Sequence, residues 1–307
     1  MRHVFYKLKI ATKDAAGLSF VCIFRRLERY LTPRTFYSLI RPVFLTRAIL
    51  NNAFKKTRPA PDLPDFLRTP RTFQTRVQQR TDVYLNGVIE NFPDRLVGAK
   101  WKANCQFDGL THLQEARRNG RPIVLVFCHL GPIYLAHCWL RATGFPTVAL
   151  FGGNSAMRPQ LARLQDRFFT LPEVPVSVYL DQLRDLAKFL AAGNLLYMAI
   201  DTPTGKQMEV PFCDGWNFQM ATGAIRLAVR HQAELIPCCI TDEGTWHYRI
   251  TLGRPVPREH LTEEADWSCA GKHLLGEMFP VFQARPDQCL DAMTRRLVRK
   301  TGDAGKR

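Results

Sequence analysis

The chain has no long apolar run. The longest in its amino-terminal part, residues 15–24, is about ten residues and includes Gly17 and Ser19, about half of what a bilayer-spanning helix needs. No cleavable signal peptide is expected. Nine cysteines are present, but no C-x-x-C pair, and Cys22, Cys128, Cys138, Cys238 and Cys239 sit in apolar runs. That pattern argues against a disulfide framework or a zinc site and for a reducing compartment. Repeats and low-complexity tracts are missing as well. Acidic residues are scarce at one end: residues 1–60 hold only Asp14 and Glu28 against thirteen Lys and Arg, so eleven of the sixteen net positive charges lie in the first fifth of the 307 residues.

What is present is globular: 46% hydrophobic and 23% charged residues can fill a core in a chain of this length. The basic segment interleaves its charges with Phe5, Tyr6, Phe20, Phe24, Tyr30, Phe36, Tyr37, Phe44 and Phe54. Cations and aromatics on an amphipathic helical pattern predict a surface that lies on anionic membrane. A solvated basic arm is the bland alternative. Nucleic-acid binding is disfavoured, since no nucleic-acid motif accompanies the charge. The segment Thr57–Asp65, with Pro59, Pro61 and Pro64, reads as a linker; residues 1–60 are therefore read as membrane-docking helices, 61–100 as linker and a helix at 75–91, and 101–307 as an α/β domain.

From residue 101 strand and helix patterns alternate, which predicts βαβ units and a mixed, largely parallel central sheet flanked by helices. Strands are expected at 122–128, 146–151, 174–179, 195–200, 208–212, 235–240 and 246–252. Helices are expected at 111–119, 132–142, 157–169, 181–192 and 219–232, with a basic amphipathic helix at 286–301.

Three strand ends carry chemistry. Val124-Leu-Val-Phe-Cys-His129 delivers a histidine to the turn Leu130-Gly131-Pro132, which opens a helix. Ligands of open α/β sheets bind outside the carboxyl ends of strands, and imidazole is the side chain best suited to general-base work near neutrality. Gly131 allows close backbone approach, and the helix that follows directs free N–H groups at the same place. Cys128 points to the opposite face and is not a partner. The strand ending at Ile200 presents Asp201, followed by Thr202, a Gly/Pro turn and Lys206. Asp201 either lines the site or caps the turn; Lys206 either meets a phosphate or is a solvated turn residue. The third end, Phe151-Gly-Gly-Asn154, leads to Arg158, a candidate phosphate or carboxylate clamp.

Taken in order, these blocks resemble the bacterial lysophospholipid acyltransferase superfamily, in the branch of the lipid A late (lauroyl/myristoyl) acyltransferases. His129-Leu-Gly-Pro-Ile-Tyr134 is similar to the family's H-x4-[DE], Asn154–Arg158 to its second block, and Asp201-Thr202, Val210-Pro211-Phe212, Thr222-Gly-Ala-Ile-Arg-Leu-Ala228 and Ile236-Pro237 to its later ones. The resemblance implies an αβα acyltransferase fold on the cytoplasmic face of the inner membrane. It also implies transfer of a fatty acyl chain from an acyl carrier protein or coenzyme A thioester to a hydroxyl of a glycolipid or lysolipid. His129 would be the general base, Gly131, Asn154, Arg158, Thr202, Lys206, Pro211 and Phe212 would contact substrate, and no metal, cofactor or covalent enzyme intermediate is required.

Two positions depart from the pattern: Tyr134 replaces the acid and Thr202 replaces a Gln. A phenol can orient an imidazole but cannot neutralise an imidazolium, and neutralising a triad carboxylate costs about 10⁴-fold, or roughly 5 kcal/mol. Three readings stay open. Asp201 or another acid supplies the charge, the enzyme works without one on a reactive donor, or the scaffold is a non-catalytic lipid- or acyl-carrier-binding protein.

Overall fold

The structure is a computed structural model that describes residues 22–27, 29–53, 62–68, 72–89, 104–151, 177–179 and 183–300. Its centre is β2 (Ile123–Phe127), in which every residue is buried, as expected for a strand covered on both faces. Side chains alternate along it. Ile123, Leu125 and Phe127 enter one core, and Val124, Val126 and Cys128 enter the other. On one side of β2 lies β5 (Leu195–Ala199), then β3 (Thr147–Phe151) and β4 (Ser177–Tyr179). On the other lie β8 (Glu234–Gly244), β9 (His247–Leu252) and β1 (Cys105–Asp108). All pairings are parallel except the β8–β9 hairpin, so β1 and β9 run against the other five strands.

The first core lies under α1 (Pro33–Ala53), α2 (Phe73–Ile89), α3 (Leu110–Arg118) and α4 (Ile133–Ala142). α1 contributes Phe36, Ile40, Phe44 and Ala48, a strict i, i+4 stripe. Trp246, at the tip of the β8–β9 hairpin, packs on Phe36 and Tyr37 and donates from Nε1 to the Leu85 carbonyl at 3.1 Å. The helix pair is thereby tied to the sheet. The second core lies under α5 (Leu183–Ala191), α6 (Gly223–His231) and α7 (Trp267–Ala284). It is extended by a small antiparallel sheet of β6 (Gln207–Cys213), β7 (Trp216–Ala221) and β10 (Leu297–Arg299).

Several expectations are corrected. The helix expected at 219–232 starts only at Gly223, because residues through Ala221 belong to β7. The helix expected at 286–301 does not form. Pro286–Gln288 and Asp291–Thr294 are single turns, and Leu297–Arg299 pairs with β7. The open edge of β7 outcompetes a helical pattern whose apolar positions, Met293 and Leu297, are buried by either conformation. Strands β1 and β7 and helix α7 were not anticipated. The expected helix at 157–169 lies outside the described residues, as do residues 1–21. Among the described residues no helix is long and apolar enough to cross a membrane.

Candidate active site at the carboxyl end of the sheet

β2 and β5 are adjacent and parallel, with Phe127 opposite Ala199. Two residues beyond each lie His129 and Asp201. His129 Nδ1 donates to Asp201 Oδ1 at 2.7 Å, and the His129 backbone N–H donates to Oδ2 of the same carboxylate, also at 2.7 Å. Asp201 is fully buried and His129 is one-quarter exposed. A buried carboxylate held at both oxygens fixes the imidazole and sets its tautomer, which leaves Nε2 as the nitrogen able to take a proton. Asp201 thus faces His129, and both of its carboxylate oxygens accept from that residue.

Below the dyad the ring of Phe127 meets His129 edge-on at 5.9 Å and stacks on Tyr197 at 4.1 Å, and Tyr197 donates from its hydroxyl to the Ile133 carbonyl. The floor of the site is thus bolted to the first turn of α4. Cys128 points the other way, and burial pushes its thiol well above the ordinary range, which makes it inert.

The turn after His129 differs from expectation in two respects. Gly131 sits at φ +62°, and a Cβ there would collide with the Ile240 carbonyl and lie 3.0 Å from Gln288 Oε1. Its lack of a side chain accommodates the neighbouring strand β8. The amides expected to be free are also engaged: Leu130 donates to Cys128, Gly131 to Gln288, Ile133 to Gly131 and Leu135 to Pro132. Pro132 has no N–H to give. Tyr134, on the same first turn, is 45% exposed.

The residues that secure this turn were not foreseen. The Leu290 amide donates to the His129 carbonyl at 2.9 Å, and the Gln288 carbonyl accepts from Gly131. The Gln288 side chain brackets Asp242 at the end of β8, accepting from its N–H at 2.9 Å and donating to its carbonyl at 2.8 Å. This strap lies about 160 residues from His129 in sequence, and no local pattern signals it.

Other expected site residues scatter. Thr202, next to Asp201, hydrogen-bonds Thr204 through its hydroxyl and lines a largely apolar cavity of about 670 Å³. Its wall includes Leu150, Leu186, Met198, Leu227 and Trp267, with Lys206, Arg226 and Arg230 among the residues around it. Lys206 is ion-paired with Glu264. Pro211 and Phe212 are not part of that wall; Phe212 packs among Phe66, Phe218, Phe279 and Phe282. Its role in the structure is core packing of the smaller sheet. Asn154 and Arg158 lie outside the described residues. Among the described residues no three His, Cys, Asp or Glu side chains are grouped as a metal ion would require.

A strand-borne imidazole with a buried carboxylate behind it has the parts to deprotonate a hydroxyl; the apolar cavity lies on the second-core side of the sheet, and neither His129 nor Asp201 lines it. Residues 75–270, about two thirds of the chain, match the family model described as bacterial lipid A biosynthesis acyltransferase. No curated protein matches the sequence.

Proposed function

The chain belongs to the bacterial lipid A biosynthesis acyltransferase family, and from that premise we propose that it is an active O-acyltransferase in which His129 is the general base and Asp201 its orienting carboxylate. The observation that carries this reading is the doubly bonded His129–Asp201 pair. His129 Nε2 takes the proton of an acceptor hydroxyl as the oxygen attacks the carbonyl carbon of an acyl thioester. Asp201 balances the imidazolium that forms. The tetrahedral intermediate collapses with loss of the thiolate, which recovers the proton from Nε2. The products are the acyl ester and the free thiol, and no metal or covalent enzyme intermediate enters the sequence of steps. Negative charge on the oxyanion needs a cation in place of the engaged turn amides; Arg158, by the family resemblance, is the proposed source.

The donor is an acyl carrier protein or coenzyme A thioester, and the acceptor a hydroxyl of a glycolipid or lysolipid, as in the late lauroyl/myristoyl branch. The enzyme works on the cytoplasmic face of the inner membrane. Support for a docking face comes from α1, whose outer stripe exposes Leu39, Val43 and Leu50 opposite the buried one. Ile23, Leu27 and Tyr30 add exposed apolar surface just before it. The rival reading, a non-catalytic lipid- or carrier-binding protein, was motivated by Tyr134 and loses that motive once Asp201 holds His129.

The test is turnover of lauroyl and myristoyl thioesters of both carriers, with lysophospholipid and under-acylated glycolipid acceptors, by wild type and His129→Ala. Turnover that drops at least 10³-fold in the variant is expected. Absence of turnover in wild type across the panel, with the protein folded, would overturn the enzymatic reading. Sedimentation with anionic but not neutral vesicles tests the docking face.

A further inference from the structure

The cavity on the second-core side of the sheet has a cationic margin that the dyad does not use. Arg226 and Arg230 are one turn apart on α6 and both border it. Both are exposed, and among the described residues neither is ion-paired. Lys206, by contrast, is satisfied by Glu264. Like charges at i, i+4 repel by a few tenths of a kcal/mol, so the pair has no local reason to share that face. A second unsatisfied group belongs to the same wall: Trp267 borders the cavity, and its buried Nε1 has no hydrogen-bond acceptor among the described residues. Buried donors of this kind ordinarily find a partner. Against these three donors stands an apolar surface from Leu150, Leu186, Met198 and Leu227. The volume, about 670 Å³, is in the range of a small-molecule site.

We propose that this cavity is a binding site for a phosphate-bearing single-chain amphiphile, with the apolar wall taking the chain and Arg226 and Arg230 the phosphate. Guanidinium groups suit this task because their N–H forks match phosphate oxygens. Thr202 lines the cavity and follows Asp201 in the sequence, but neither Asp201 nor His129 lines it: the apolar wall belongs to the second core, whereas His129 meets Phe127 of the first. The chemistry fits the phosphopantetheine arm of an acyl donor and equally a phosphorylated lipid acceptor. Identifying the occupant as a substrate rests on the acyltransferase reading; the binding site itself does not.

Equilibrium binding needs no turnover, so it separates failure of this site from failure of the enzymatic reading. Two probe pairs are titrated into the full chain: S-dodecyl-4′-phosphopantetheine against S-dodecylpantetheine, and dodecyl phosphate against dodecanol. In at least one pair the phosphorylated member should bind about tenfold more tightly. That advantage should vanish in Arg226→Gln/Arg230→Gln, while the neutral member binds the variant as it binds wild type, which verifies the fold. The pair that shows the advantage identifies the source: a donor arm or a lipid phosphate. Leu227→Trp, which fills the wall, should weaken both members of that pair. Equal binding within both pairs, or an advantage that survives the double substitution, would overturn the proposal.

Discussion

His129 and Asp201 occupy equivalent steps beyond two adjacent parallel strands, and the register alone makes them meet. Phe127 is opposite Ala199, and two residues further on the imidazole and the carboxylate are 2.7 Å apart. Because successive strand residues alternate faces, even offsets from a paired position keep both side chains on one side of the sheet. A one-residue slip in β5 would place Asp201 on the opposite face.

Asp201 should therefore matter about as much as a triad carboxylate. Asp201→Asn keeps the shape but removes the charge and offers an amide N–H to Nδ1, which favours the wrong tautomer. A loss in kcat of about 10³–10⁴ is expected with little change in KM. A loss below tenfold in steady-state kinetics would remove Asp201 from the mechanism.

Tyr134 should matter little. With Nδ1 already engaged, Tyr134→Phe is expected to keep kcat within about threefold of wild type, and Tyr134→Glu should not restore the activity lost by Asp201→Asn. Rescue by that glutamate would return the orienting role to the turn after His129.

The strap through Gln288 should couple the carboxyl-terminal segment to activity. Gln288→Ala removes both partners of the Asp242 main chain, and orphaned buried backbone groups cost about 1–3 kcal/mol. Urea denaturation should register that loss. kcat should fall as well, because the segment also holds the His129 carbonyl through Leu290. Unchanged stability would mean that water replaces both bonds.

Gly131→Ala should be more damaging than a surface glycine change. The added Cβ meets the Ile240 carbonyl, a backbone atom that cannot rotate away, and the residue keeps φ +62°. A destabilisation of at least about 2 kcal/mol is expected, against about 1 kcal/mol or less for Gly120→Ala, where φ is also positive but the space is open.

Asp82 on α2 predicts a pH dependence of stability. Burial raises its carboxyl to about 6, with Asp242 adding to the effect and Gln78 and Arg41 opposing it. Between the ordinary carboxylate value near 4 and about 6, the folded state holds a proton that the unfolded state has released. Stability contributed by this group therefore falls as pH rises through that window and stays low above it. Asp82→Asn should raise Tm at pH 7.5, by an amount corresponding to about 1–2 kcal/mol once partial exposure is allowed for. It should have no effect at pH 4. A gain of equal size at both values would point to packing instead of charge.

The largely parallel sheet and the strand end that carries His129 were legible in the sequence because they are local. Ile123–Phe127 is a continuous apolar run, as a strand covered on both faces must be, and His129 follows it directly. Asp201 was legible as one candidate partner among three open readings, but its pairing with His129 was not decided there: strand order and register, which bring β5 beside β2, are set by packing over some 70 residues. The same holds more strongly for Gln288 and Leu290. There a 3.6-residue pattern promised a helix, but the unpaired edge of β7 and the amides after His129 took the backbone instead. Local composition thus determined which side chains reach the carboxyl end of the sheet. Only the tertiary fold decided that a buried aspartate, not the helix turn carrying Tyr134, stands behind the histidine, because a charge can be held there only where the sheet itself excludes water and supplies both hydrogen bonds.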